Sequence, residues 1–189
     1  MIISLSELKK FLNVSDTDQD SQLYNCLTYA HAEAEVYCER RFELAMRTEY
    51  YATNLQTTLQ LRNYPIVQSG VFSLVLHDDL NLSWGADTLL AAEQYQVDEE
   101  WGRVVLVGQY FSVSINPAIK NIKVEYGAGY TSATIPSDLK IAIMKLAGAS
   151  YKKADTYLNA VSGRVENSGQ SDDLRSDAEA ILDLYKRVR

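Results

Sequence analysis

The sequence predicts an α+β protein in which the N- and C-terminal segments form a helical core and an antiparallel β-rich module is inserted between them. Three observations carry this. Helical hydrophobic spacing marks residues 1–44, short β-branched and aromatic runs fill residues 45–126, and helical spacing resumes after Pro136. The chain thus divides into N-terminal core helices (1–44), a β-rich insertion (45–126), a further core helix (127–158), and a linker with a C-terminal helical arm (159–189).

Ser4-Leu-Ser-Glu7 has the capping-box spacing, so a short helix is predicted to start there, with Leu5, Leu8, Phe11 and Leu12 on its apolar side. Asn13-Val-Ser-Asp-Thr-Asp18 interrupts it with turn-forming side chains. From Asp18 to Arg41, Leu23, Leu27, Ala30, Ala34 and Tyr37 advance by fours and threes, which predicts one long amphipathic helix. Its acidic start and Arg40-Arg41 at its end both suit the helix dipole.

The insertion is read as strands at Thr48–Tyr51, Thr57–Leu61, Val71–Leu76, Tyr95–Val97, Arg103–Val107, Tyr110–Ile115 and Ile122–Tyr126. Asn63-Tyr-Pro65, His77-Asp-Asp79 and Trp101-Gly102 are the turns between them. Pro136 suits a first helical turn, and Leu139, Ile143, Leu146 and Ser150 form the stripe of the helix that follows. Asn159 to Asp173 is polar and is expected to be a linker, after which Leu174, Ala178, Ile181, Tyr185 and Val188 mark a last helix, with Asp172-Asp173 at its start and Lys186-Arg187 at its end.

A chain of 189 residues can bury its own core without metals or disulfides. The start, Met1-Ile-Ile-Ser-Leu-Ser-Glu7, has neither a basic leader nor a long apolar segment, so a soluble protein without a cleaved signal is expected. Cys26 and Cys38 fall in one predicted helix, roughly 18 Å apart along its axis, too far to bridge. They are read as two small buried hydrophobes in a reducing compartment. The net charge of −7 excludes a protein that grips nucleic acid through many phosphates. Residues 1–44 carry four basic and eight acidic side chains, 45–126 five and nine, and 127–189 nine and eight, so the acidity lies in the first two thirds.

The search for chemistry yields little. Tyr126-Gly-Ala-Gly-Tyr130 follows a strand and precedes a helix, as phosphate loops do, but has no Gly three positions after Gly129 and no Gly-Lys-Ser/Thr nearby. It reads as a tight turn. His31 and His77 are the only histidines and no Cys or His cluster joins them, so no metal and no cofactor is expected. His77 beside Asp78 is not a triad without a serine motif. Thirteen tyrosines tilt the reading towards a protein that assembles. Trp84 and Trp101 flank an acidic and apolar stretch from Asp87 to Glu100, which keeps a small carbohydrate-active or hydrolytic enzyme as an alternative.

In order along the chain, Leu5-Ser-Glu-Leu-Lys-Lys-Phe-Leu-Asn-Val14, the long helix to Arg41, Tyr37-Cys-Glu-Arg-Arg-Phe42, Leu61-Arg-Asn-Tyr-Pro-Ile66, Tyr95-Gln-Val-Asp98, Gly102-Arg-Val-Val105 and Val124-Glu-Tyr-Gly-Ala-Gly-Tyr130 running into Ile135-Pro-Ser-Asp-Leu-Lys-Ile-Ala142 resemble the head–tail connector (neck adaptor) proteins of tailed bacteriophages and prophages, in the longer form with a β-rich insertion. The likeness extends to about Lys153. It implies a structural virion protein and no catalysis: a ring of about twelve copies under the portal that completes the head after DNA packaging. The implied partners are the portal protein, the next neck or tail completion protein and further copies of the chain. DNA passes through without specific binding, and no membrane is involved. The implied location is the virion neck, reached by assembly in the host cytoplasm. In such adaptors a C-terminal arm grips the portal, so Leu174, Ile181 and Tyr185 are the expected portal or subunit interface. A prophage-encoded binding module that never joins a virion is the second alternative.

Overall fold

The computed structural model describes residues 1–52, 56–67, 71–76, 89–111, 120–161 and 169–187. Helix α1 (Leu5–Leu12) starts on the predicted capping box: Glu7 N–H donates to Ser4 Oγ at 3.3 Å, and Ser4 N–H donates to a Glu7 carboxylate oxygen at 2.8 Å. It stops where Asn13 turns left-handed, a conformation asparagine tolerates. Helix α2 runs from Asp20 to Cys38. It ends two residues before Arg40-Arg41, against expectation, because Glu39 enters the left-handed region at φ 55° and Arg40 N–H turns back to Glu35 O. Arg40 is buried, and with Arg41 it lies beyond the helix end rather than in the last turn where the sequence reading places the pair.

Leu23, Leu27, Ala30 and Ala34 line the buried face of α2 as predicted, with Cys38 continuing it and Tyr37 half-buried. Helix α3 (Ser137–Val161) contributes Leu139, Ala142, Ile143, Leu146 and Ala147 to the same core. Pro136 stands just before its first residue, where its carbonyl accepts from Lys140 N–H at 3.0 Å. The stretch expected to be a linker is helical at both ends: α3 continues to Val161, and α4 (Gly169–Leu182) begins at Gly169. The overrun is residues 159–161, where Ala160 is a good helix former although the stretch is polar. Helix α4 stops at Leu182, and a 3₁₀ turn (Asp183–Tyr185) follows, so Lys186 and Arg187 lie beyond the helix.

The inserted segment forms two three-stranded antiparallel sheets. Strands β1 (Ala45–Tyr51), β6 (Ile122–Ala128) and β3 (Ser73–Leu76) lie in the order β1-β6-β3, while β2 (Thr58–Gln60), β5 (Arg103–Leu106) and β4 (Tyr95–Asp98) lie in the order β2-β5-β4. Alternation decides the inner faces: Ile122, Val124, Tyr126 and Ala128 from β6 and Val104 and Leu106 from β5 enter one hydrophobic core with Leu59, Leu61, Leu74 and Phe111. Tyr110 and Phe111 are not in a strand, and 112–115, the rest of the run expected at Tyr110–Ile115, lies outside the described residues. His77, Asp78, Asp79, Trp84, Asp87 and Val188 lie outside them too.

The chain forms two compact units, a helical one (residues 1–40 and 131–187) and a β-rich one (residues 41–130). The protein is therefore mixed α+β, with helices from both ends of the chain in one unit and antiparallel sheets in the other.

Candidate functional site

The C-terminal segment was the expected interface, and it packs on its own helical unit. Ala178 and Leu182 of α4 are buried, and Leu174 and Ile181 are half-buried. Gly148 of α3 makes room at this crossing, since a Cβ there would lie 3.0 Å from Leu12 Cδ2 and 3.8 Å from Leu174 Cδ1. Ion pairs surround the apolar contact: Arg175 to Glu33 of α2 and Lys145 of α3 to Asp177, each at 2.7 Å.

The turn after α4 is fastened at its own cluster. Tyr37 O–H donates to Asp183 Oδ1 at 2.8 Å, Lys186 Nζ stands 2.7 Å from the same oxygen, and that ammonium sits 4.3 Å over the Tyr37 ring. Lys186, then Tyr37, hold the Asp183 carboxyl below the usual carboxylate range, and the Asp183 carboxylate raises both Tyr37 and Lys186. Arg187 N–H donates to Cys38 O at 3.0 Å, and Cys38 Sγ–H donates to Leu182 O at 3.4 Å. Burial pushes the Cys38 thiol up to about 11 and also raises Cys26, so neither is an activated thiolate. Tyr185, half-buried, donates to Asp138 Oδ1 at the start of α3 at 2.6 Å. Between Asp183 and Tyr185, Leu184 is 79% exposed. Neither the exposure of Leu184 nor the meeting of Tyr37 with Asp183 and Lys186 is legible in the sequence, where the Asp183/Lys186 spacing of three is the one visible signal.

The glycine loop binds backbone rather than ligand. Gly129 has φ 114°, and a Cβ on it would fall 2.6 Å from Phe42 O. Gly129 N–H donates to Pro65 O at 2.9 Å and Tyr130 N–H to Phe42 O at 2.6 Å, so the amides that would cradle a phosphate already have carbonyl partners. The turn beyond it is a threonine turn in which Thr131 N–H donates to Thr134 Oγ1 at 2.9 Å.

Leu61-Arg-Asn-Tyr-Pro-Ile66 is likewise a structural knot. The buried Glu49 accepts from Asn63 Nδ2 at 2.7 Å, Arg62 N–H at 3.1 Å and the Tyr51 hydroxyl. Asn63 Oδ1 accepts from Arg41 N–H at 2.7 Å, and Asn63 N–H donates to the fully buried Tyr126 hydroxyl oxygen at 3.2 Å. Burial, then Glu49, raise both Tyr51 and Tyr126 far above the usual phenol range. His31 is buried in α2, with Nδ1 3.9 Å from Glu35 Oε1. Trp101 is 50% exposed at the β4–β5 turn. Among the described residues no three His, Cys, Asp or Glu side chains form a metal set.

Residues 1–188 match the model of the head completion protein family. The chain belongs to that family. A head completion protein is a structural protein of the head-to-tail connection. The fold is similar to a chain in the neck of an empty gene transfer agent particle computed with C6 symmetry, at 17% identity and TM-score 0.65, covering 100% of this chain and 91% of that one. It is also similar to one in the virion of the native gene transfer agent particle, at 18% identity and TM-score 0.63 with the same coverage. A third is in the neck of the native particle computed with C12 symmetry, at 18% identity and TM-score 0.59, covering 98% and 88%. No curated protein matches the sequence.

Proposed function

We propose that this chain is a head–tail connector that assembles as a ring beneath the portal protein, completes the head once DNA is packaged, and seats the next neck or tail protein. It assembles in the host cytoplasm and ends in the virion neck. Its role is structural, with no catalysis and no cofactor. The observation that carries this reading is the family match over residues 1–188. The fold likeness to neck chains from particles computed with six- and twelve-fold symmetry supports a ring of about twelve copies.

The portal contact is assigned to the C-terminal segment, with Leu174, Ile181 and Tyr185 as its half-buried members and Leu184 as its exposed one. Deleting the gene from the producing phage or prophage tests the role. Filled heads without tails, restored by the gene in trans, are the expected result; tailed infectious particles made without the chain would overturn the proposal. Leu184→Asp, at a site too exposed to affect folding, is expected to weaken capture by purified portal protein at least tenfold.

A further inference from the structure

We propose that the outward face of α2 is the surface on which a second copy of this chain docks, an inference that rests on the ring reading above. From Ser21 to Val36, every exposed position of this helix is uncharged: Ser21, Tyr24, Asn25, Thr28, Tyr29, Ala32 and Val36. A solvated helix normally carries charge on its outer face. Here the acidic residues of the stretch are turned aside: Glu33 pairs with Arg175 and Glu35 is buried.

The face is also apolar where it is most open. Tyr29 is 59% exposed and Val36 75%. Thr28 Oγ1 lies 3.9 Å from Met1 Sδ, so the 44% exposed Met1 adjoins the patch. Tyrosine and methionine with little charge is the composition of an interface centre.

Charge selects the occupant. Each copy carries −7, so copies repel least where a face that presents no carboxylates is brought to the contact, and this stripe is such a face. Nucleic acid is a poor occupant because the stripe has no Lys or Arg. A ring also requires two different faces on every copy. Helices α3 and α4 cover the opposite side of α2, so the α2 face stays open while the C-terminal segment serves another partner.

The test places the photocrosslinker p-benzoylphenylalanine at Val36, and separately at the exposed Asp172 as an off-stripe control, in the full chain supplied to the phage lacking its own copy. Circular dichroism checks that each variant folds. Irradiated particles are expected to yield copies linked to copies from Val36 and not from Asp172, and Val36→Glu with Tyr29→Glu is expected to cut incorporation at least tenfold. Particles that contain the chain but link Val36 to another protein, or to nothing, overturn this inference and leave the adaptor role standing. Complete particles that lack the chain overturn the adaptor role and this inference with it.

Discussion

Glu49 shows how a single side chain can organise a loop. Its buried carboxylate collects donors from Tyr51, Arg62 and Asn63, and Asn63 passes the connection on to Arg41 and Tyr126. Removing it leaves buried donors without partners, so Glu49→Ala is expected to cost about 3 kcal/mol in urea unfolding. Gly129 is a second such point. At φ 114° and 2.6 Å from Phe42 O, an added methyl must displace backbone, so Gly129→Ala is expected to cost at least about 2 kcal/mol by the same measurement. The glycine's role could be read from the sequence, since the missing third glycine and lysine already pointed to a turn. The Glu49 knot could not, because nothing in Thr48-Glu-Tyr-Tyr51 says which alternate residue faces inward or that Asn63, fourteen residues on, will meet it.

At the scale of elements, legibility followed local chemistry. The start of α1 was visible because Ser4 and Glu7 cap each other across three residues, and its end because asparagine accepts a left-handed turn. The end of α2 was hidden because a glutamate, which has no such preference, makes that turn. The full length of α3 is hidden because its last residues, 159–161, open a polar stretch that has a loop's composition. Helix α1 also provides a titration. Lys140, then Ser4, lower the Glu7 carboxyl from 4.5 to about 2, so its contribution is complete above 4.5 and lost as pH falls towards 2. Its side chain is 38% exposed, which limits the effect to under about 1 kcal/mol. Glu7→Gln should therefore be slightly less stable at pH 7 and indistinguishable from the parent at pH 2. The anchorage of α4 divides in a similar way. Leu182→Ala removes a buried side chain and is expected to cost about 2–4 kcal/mol, whereas Asp177→Asn breaks a surface pair and should cost under about 1 kcal/mol.

In the proposed ring, the whole molecule's charge has a use that no single residue displays. The excess of carboxylates lies in residues 1–126, and in the nearly balanced last third four of the nine cations, Lys140, Lys145, Arg175 and Lys186, are paired with Glu7, Asp177, Glu33 and Asp183. A protein that holds DNA needs a row of uncommitted Lys and Arg, and its affinity falls steeply with salt as counterions are released. In the ring proposed above, chains at −7 each would present the opposite field to phosphate, so packaged DNA would slide without being held. Fluorescence anisotropy of a labelled duplex at about 0.15 M salt is expected to show no binding tighter than about 10⁻⁴ M. Tight binding that collapses as salt rises would mean that a basic surface forms after all, and the sliding role of the acidic balance would be lost.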